Sequence, residues 1–169
     1  LWLAAALPQL TSLQELHLKA CCDMSGSCLA AISSLTRLTS LELGGGFTNM
    51  QPPLQQALQQ QLLLRVLRLQ YNEEEPVLDL SMLTQLEDLV AAIQPGRTVL
   101  PPQLKRLRAT NYKSVGDLSA LTQLEDLTAA IQPGQSVLPP QLQSLRVKNL
   151  VEDDGLAVIT QLQQLRRLR

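Results

Sequence analysis

Leucine recurs along this chain in a ladder with a distinctive last step. Leu80, Leu83, Leu86 and Leu89 fall every three residues, and the ladder then shortens its step to reach Ala91. The same ladder is written as Leu118, Leu121, Leu124, Leu127 and Ala129, as Leu7, Leu10, Leu13, Leu16 and Leu18, and as Ile32, Leu35, Leu38, Leu41 and Leu43. In the closing L-x-L, a period of two sends both apolar residues to one face and the residue between them to the other, which predicts a short β-strand. Shorter matches centre on Leu67 and Leu69, on Leu104, Leu107 and Ala109, and on Leu142, Leu145 and Val147. The chain closes on Ile159, Leu162, Leu165 and Leu168.

Strands are therefore expected around Leu16, Leu41, Leu67, Leu89, Leu107, Leu127, Leu145 and Leu168, spaced by 25, 26, 22, 18, 20, 18 and 23 residues. The stretch from Leu83 to Leu104 returns at Leu121 to Leu142 with 19 of 22 positions identical; the changes are Val90/Thr128, Arg97/Gln135 and Thr98/Ser136. One such strand cannot bury its apolar edge alone. Stacked in parallel, many of them merge their leucines into a continuous core, so each copy is the neighbour the next one needs.

The segments that return the chain between strands are of two kinds. Ser25 to Leu35 and Asp153 to Leu162 begin with Ser or Asp residues suited to N-capping and read as helices. Leu3 to Leu7 aligns with Cys28 to Ile32, which makes the apolar opening an outer helix and not a leader; it has no basic region or clear cleavage site. Leu54 to Leu64 reads as an amphipathic return helix. The 18–20-residue units instead return through Pro-Gly and LPPQL, where proline forbids helix and favours extended or turn backbone. Gly44-Gly45-Gly46 predicts a loop, and Glu73-Glu74-Glu75 before Pro76 a solvated rim segment.

These phased units resemble leucine-rich repeats, whose LxxLxLxxN/C pattern recurs every ~20–29 residues. Asn72, five residues after Leu67, and Cys21, five after Leu16, stand at the N/C position. IQPG…LPPQL is similar to the FNIP-type variant. The resemblance spans nearly the whole chain and implies an α/β fold, a single curved solenoid over residues 1–169 with about eight repeats. Its parallel sheet would be concave, with helices or extended segments on the convex side. No polar capping repeat is legible at either end, so the chain reads as a piece of a longer array. The resemblance also implies a non-enzymatic scaffold that binds a protein partner on the concave sheet. The alternatives are the substrate-recognition arm of an F-box-type ubiquitin-ligase adaptor and the arm of an innate-sensor receptor. The Leu/Ala/Gln-rich style is similar to leucine-rich-repeat proteins of the cytoskeleton and ciliary axoneme.

Composition narrows the partner. Hydrophobic residues make up 45% of the chain but aromatics only 2%, so the core must come from Leu, Ala, Val and Ile. A net charge of -1 without charged tails argues against a general nucleic-acid or membrane-surface binder, and no apolar run reaches the ~18 residues of a membrane span. Three clustered cysteines and no N-glycosylation sequon favour a reducing, cytoplasmic setting. His17, Cys21, Cys22 and Cys28 match no paired zinc-knuckle spacing, and Cys28 aligns with the buried side of an outer helix. No nucleophile elbow, P-loop or HExxH is present, so neither catalysis nor a cofactor or small-molecule substrate is expected.

The residue between the paired leucines is more informative. It runs His17, Glu42, Arg68, Val90, Arg108, Thr128, Arg146 and Arg169. Two residues earlier stand Asp88, Arg106 and Asp126, an alternating-sign row whose bland reading is a cross-strand ladder worth ~0.2–1 kcal/mol per pair. Two residues later stand Lys19, Gly44, Gln70, Ala92, Thr110, Ala130 and Lys148. The candidate partner-binding residues are Arg68, Arg106, Arg108, Thr128, Arg146 and Lys148. They suit an acidic protein surface better than a nucleic-acid backbone, because no aromatics are interleaved. Because the cysteines read as structural, purified protein should hold no stoichiometric zinc and chelator should leave its Tm unchanged. One zinc per chain, lost on replacing Cys21 and Cys28, would contradict this.

Overall fold

A computed structural model describes residues 2–19, 26–45, 51–71, 77–132, 134–150 and 158–169. The chain is an α/β fold with few helices, built on one open, all-parallel sheet of eight strands in chain order. The strands are β1 (Glu15–Leu18), β2 (Ser40–Gly45), β3 (Val66–Tyr71), β4 (Asp88–Ala91), β5 (Arg106–Ala109), β6 (Asp126–Ile131), β7 (Ser144–Leu150) and β8 (Arg167–Leu168). All eight expected centres lie in strands. Leu16, Leu41, Leu67, Leu89, Leu107, Leu127, Leu145 and Leu168 stand in one register row across the sheet.

The rows explain the three-residue ladder. From Leu41 to Leu145 the row is buried, and Leu16 lies at the margin of burial. A second row three residues earlier, Leu38, Leu64, Leu86, Leu104, Leu124 and Leu142, is sealed completely. Leu168, on the edge strand β8, stays half exposed.

Register is held by a carbonyl just before each strand, which accepts two N–H groups from the next. Gln14 accepts from Thr39 and Ser40, Thr39 from Arg65 and Val66, Arg65 from Glu87 and Asp88, and Glu87 from Lys105 and Arg106. Lys105, Glu125 and Gln143 continue the series to β8, all at 2.8–3.1 Å.

The long units return through helices α1 (Trp2–Ala6), α2 (Gly26–Ile32) and α3 (Gln51–Gln59), with α2 packed against both others. Leu29, Ile32, Leu54 and Leu58 enter the core. Helix α2 is shorter than the Ser25–Leu35 reading because Ser33 and Ser34 turn their hydroxyls onto the Ala30 and Ala31 carbonyls at its end. Helix α3 is displaced from the Leu54–Leu64 reading. It starts at Gln51 and carries Pro52 and Pro53 in its first turn, where a missing N–H costs nothing. It ends before Gln61, which occupies the ladder position held elsewhere by Leu35, Leu83 and Leu121. Gln61 is fully buried; its Nε2 donates to the Ile32 carbonyl at 3.0 Å and its Oε1 has no partner. Of the expected helix at 153–162, residues 158–159 are helical, and 153–157 lie outside the described residues, as do Gly46 and Glu73–Pro76; Gly44 and Gly45, expected in a loop, instead extend β2 and pair with Gln70 and Tyr71.

The short units return as predicted from their prolines, in extended and turn backbone. Pro95 and Gly96 (φ +68°) form a turn closed by the Arg97 N–H on the Gln94 carbonyl at 3.1 Å, with glycine supplying the left-handed conformation. Gln103 and Gln141, the glutamines of the two LPPQL segments, reach back to the Leu83 and Leu121 carbonyls at 2.8 and 2.7 Å. These returns also pair with one another, Asp79 with Val99 and Asp117 with Val137, in parallel bridges. The doubled sequence is thus a 38-residue unit of two strands and two joined returns.

Leu127→Ala should destabilise the protein by ~2–5 kcal/mol, since it opens a cavity between β5 and β7. Thr128→Ala, one position along on the other face, should change stability by no more than about 0.5 kcal/mol. Equal losses in chemical denaturation would contradict the assignment of faces.

Candidate functional site

On the face away from the leucines, strand register turns sequence positions into columns. In the column leading each strand, Arg65 Nη2 and Lys105 Nζ converge on one oxygen of Glu87 between them, at 2.9 and 3.4 Å. In the next, Arg106 Nε meets Asp88 Oδ2 at 3.2 Å, and Asp126 stands in register on its other side. Charge thus alternates from Arg65 through Glu87 to Lys105 in one column and from Asp88 through Arg106 to Asp126 in the next, where β3 contributes the uncharged Val66. The paired guanidinium and ammonium beside Glu87 hold its carboxyl below the usual carboxylate range.

The central column breaks this rule. Its register runs His17, Glu42, Arg68, Val90, Arg108, Thr128, Arg146. Where the outer columns carry carboxylates on β4 and β6, this one carries Val90 and Thr128. Among the described residues, Arg68, Arg108 and Arg146 therefore make no ion pair or side-chain hydrogen bond, and the Thr128 hydroxyl has no partner. A depression of about 490 Å³ lies over the face, lined by Arg68, Asp88, Val90, Arg106, Arg108 and Thr128 among others.

Four positions depart from the sequence reading: Glu42, Lys148, Ala92 and Ala130. Glu42, assigned to the outward face, is only 4% exposed. Its carboxylate lies 3.6 Å from His17 Nδ1 and 3.4 Å from Lys19 Nζ and accepts from Gln70 Nε2 at 3.3 Å. Register itself carried that signal, since Glu42 pairs with His17. Lys148, read as an outward cation, turns its ammonium onto the Ala109 and Thr110 carbonyls at 2.5 and 3.1 Å. Burial, and then the nearby Arg108 and Arg146, push its pKa down. Its ammonium also stands 5.8 Å from the ring centre of Tyr112, an exposed aromatic that the repeat pattern did not single out. Ala92 and Ala130, in the same column as Gln70, are buried.

The candidate residues thus divide. Arg68, Arg106, Arg108 and Thr128 line the depression, and Arg146 extends its central column. Arg106 is neutralised by Asp88, and Lys148 is committed to backbone oxygens. Cys28 is buried in α2, while Cys21 and Cys22 lie outside the described residues. No family model and no curated protein matches the chain.

Glu87 predicts a pH dependence. Its carboxyl is held low in the folded protein, so the unfolded chain binds the extra proton in the acid range. Its stabilising contribution is present above the ordinary carboxylate pKa and is lost as pH falls through the depressed folded value. Glu87→Gln should therefore flatten the fall of Tm with acidification relative to wild type. An unchanged slope would show the three-residue pairing to be absent in solution.

Proposed function

We propose that this chain is a leucine-rich-repeat solenoid acting as a non-catalytic protein-interaction scaffold, with the sheet as its concave docking face and an acidic protein surface as its partner. The observation that carries the reading is the central column. The two neighbouring columns pair Arg65, Lys105 and Arg106 with carboxylates, and the central one leaves Arg68, Arg108 and Arg146 without partners among the described residues, on an open face. Charge left exposed in this way steers encounter and selects partners of opposite sign. The fold supports the same reading, because stacked parallel strands whose apolar side is sealed present a broad, regular outer face.

The odd number of cysteines and the lack of sequons support a reducing, cytoplasmic setting for this proposed activity. No helix among the described residues is long and apolar enough to cross a membrane.

A photo-crosslinking residue placed at Thr128 tests the face, with Thr122, exposed in the turn before β6, as the control position. Cross-links to a protein partner should form from Thr128 and weaken strongly in an Arg108→Glu/Arg146→Glu background that melts like wild type. Capture from Thr122 alone, or capture indifferent to the charge reversal, would place the partner elsewhere.

A further inference from the structure

We infer that the unpaired arginine column is a track for an extended acidic peptide with a carboxylate at every third residue, running across the strands. The inference rests on the docking face proposed above and specifies its ligand.

Spacing comes first. Arg68, Arg108 and Arg146 sit on β3, β5 and β7, in one column and on alternate strands. Two strand separations give ~9.6 Å between successive arginine positions. A polyproline-type chain rises ~3.1 Å per residue with three residues per turn, so the same side returns every ~9.3 Å. A flat β-strand presents the same side every ~6.7 Å. An α-helix does so every ~5.4 Å, or ~10.8 Å over two turns. The polyproline-type repeat matches the column most closely.

Width separates the remaining candidates. Asp88 and Asp126 stand two residues along their strands from Val90 and Thr128, a distance of ~6.7 Å. A helix ~10–12 Å across would carry its acidic flank toward them. Nucleic acid would crowd the same carboxylates with phosphates spaced at ~3.4 Å of rise along each strand. A single extended chain stays within the central column, whose carboxylate, Glu42 beside Arg68, is already held by His17 and Lys19.

The residues between the arginines suit such a chain. Val90 and Thr128 bring neither charge to the column, leaving room for the two intervening ligand residues. A polyproline-type backbone has no internal hydrogen bonds, so its carbonyls are free to accept from the unpartnered Thr128 hydroxyl.

Synthetic peptides test this on the full chain. The first is a run of Glu-Pro-Ala triplets; the second has the same composition with its glutamates adjacent; the third carries glutamate at every second position. In low-salt calorimetry the triplet peptide should bind about tenfold more tightly than either control. Each of Arg108→Gln and Arg146→Gln should cost about tenfold, the loss of one charge-assisted hydrogen bond. Asp126→Asn should not weaken binding, and a melt of each variant establishes that it is folded. Equal affinity for all three peptides would overturn the inference, because the face would then read charge without spacing. So would the absence of peptide binding to a chain that still cross-links its protein partner through Thr128, an outcome that leaves the docking face standing. Loss of both overturns both.

Discussion

A carbonyl at the threshold of each strand, shared by two N–H groups of the next, is the constraint on which the rest of this molecule depends. Seven such carbonyls, from Gln14 to Gln143, join eight strands. Side chains alternate faces with a period of two, so a slip of one residue at any junction would carry leucines to the outside and arginines to the core. The leucine rows enforce the same register from the other side, since every member from Leu38 to Leu142 of the second row is sealed. Backbone bonding and apolar burial therefore specify one alignment together, and that alignment sorts the outer face into columns.

The doubled sequence then acquires a physical meaning. Its unit is two strands because the returns are bridged in twos, Asp79 to Val99 and Asp117 to Val137. Asp79 and Asp117 each accept from the serine two residues on, so the same turn is built twice. The carboxylates repeat with the unit, Glu87 and Asp88 returning as Glu125 and Asp126, and Lys105 and Arg106 stand between the two copies. Where the carboxylate is replaced by Val90 or Thr128, the arginines on either side are released. The proposed function depends on that substitution within an otherwise neutralising pattern.

Much of this was legible in the chain. The leucine spacing placed every strand centre and its neighbour, because burial of one face is a strong, periodic signal. Prolines excluded helices from the short returns. The limits of α3 were less legible, because prolines tolerated in a first helical turn resemble helix breakers, and the polar Gln61 occupies a leucine position. At the site, the column containing Arg68, Arg108, Thr128 and Arg146 could be read directly. The states of Glu42 and Lys148 could not. Both depend on reach across strands: Glu42 is enclosed by His17, Lys19 and Gln70, and Lys148 bends to carbonyls at the end of β5. Periodicity assigns a face to a side chain but does not say where its far end goes.

The central claim is that register brings Arg108, Thr128 and Arg146 into one column. Inter-strand nuclear Overhauser contacts in isotope-labelled protein measure this directly. Backbone contacts should connect Arg108 with the residues flanking Thr128, and Thr128 with those flanking Arg146, in the parallel pattern throughout. Contacts shifted by one residue, centring Arg108 on Leu127 or Ala129, or an antiparallel pattern at either junction, would contradict the account.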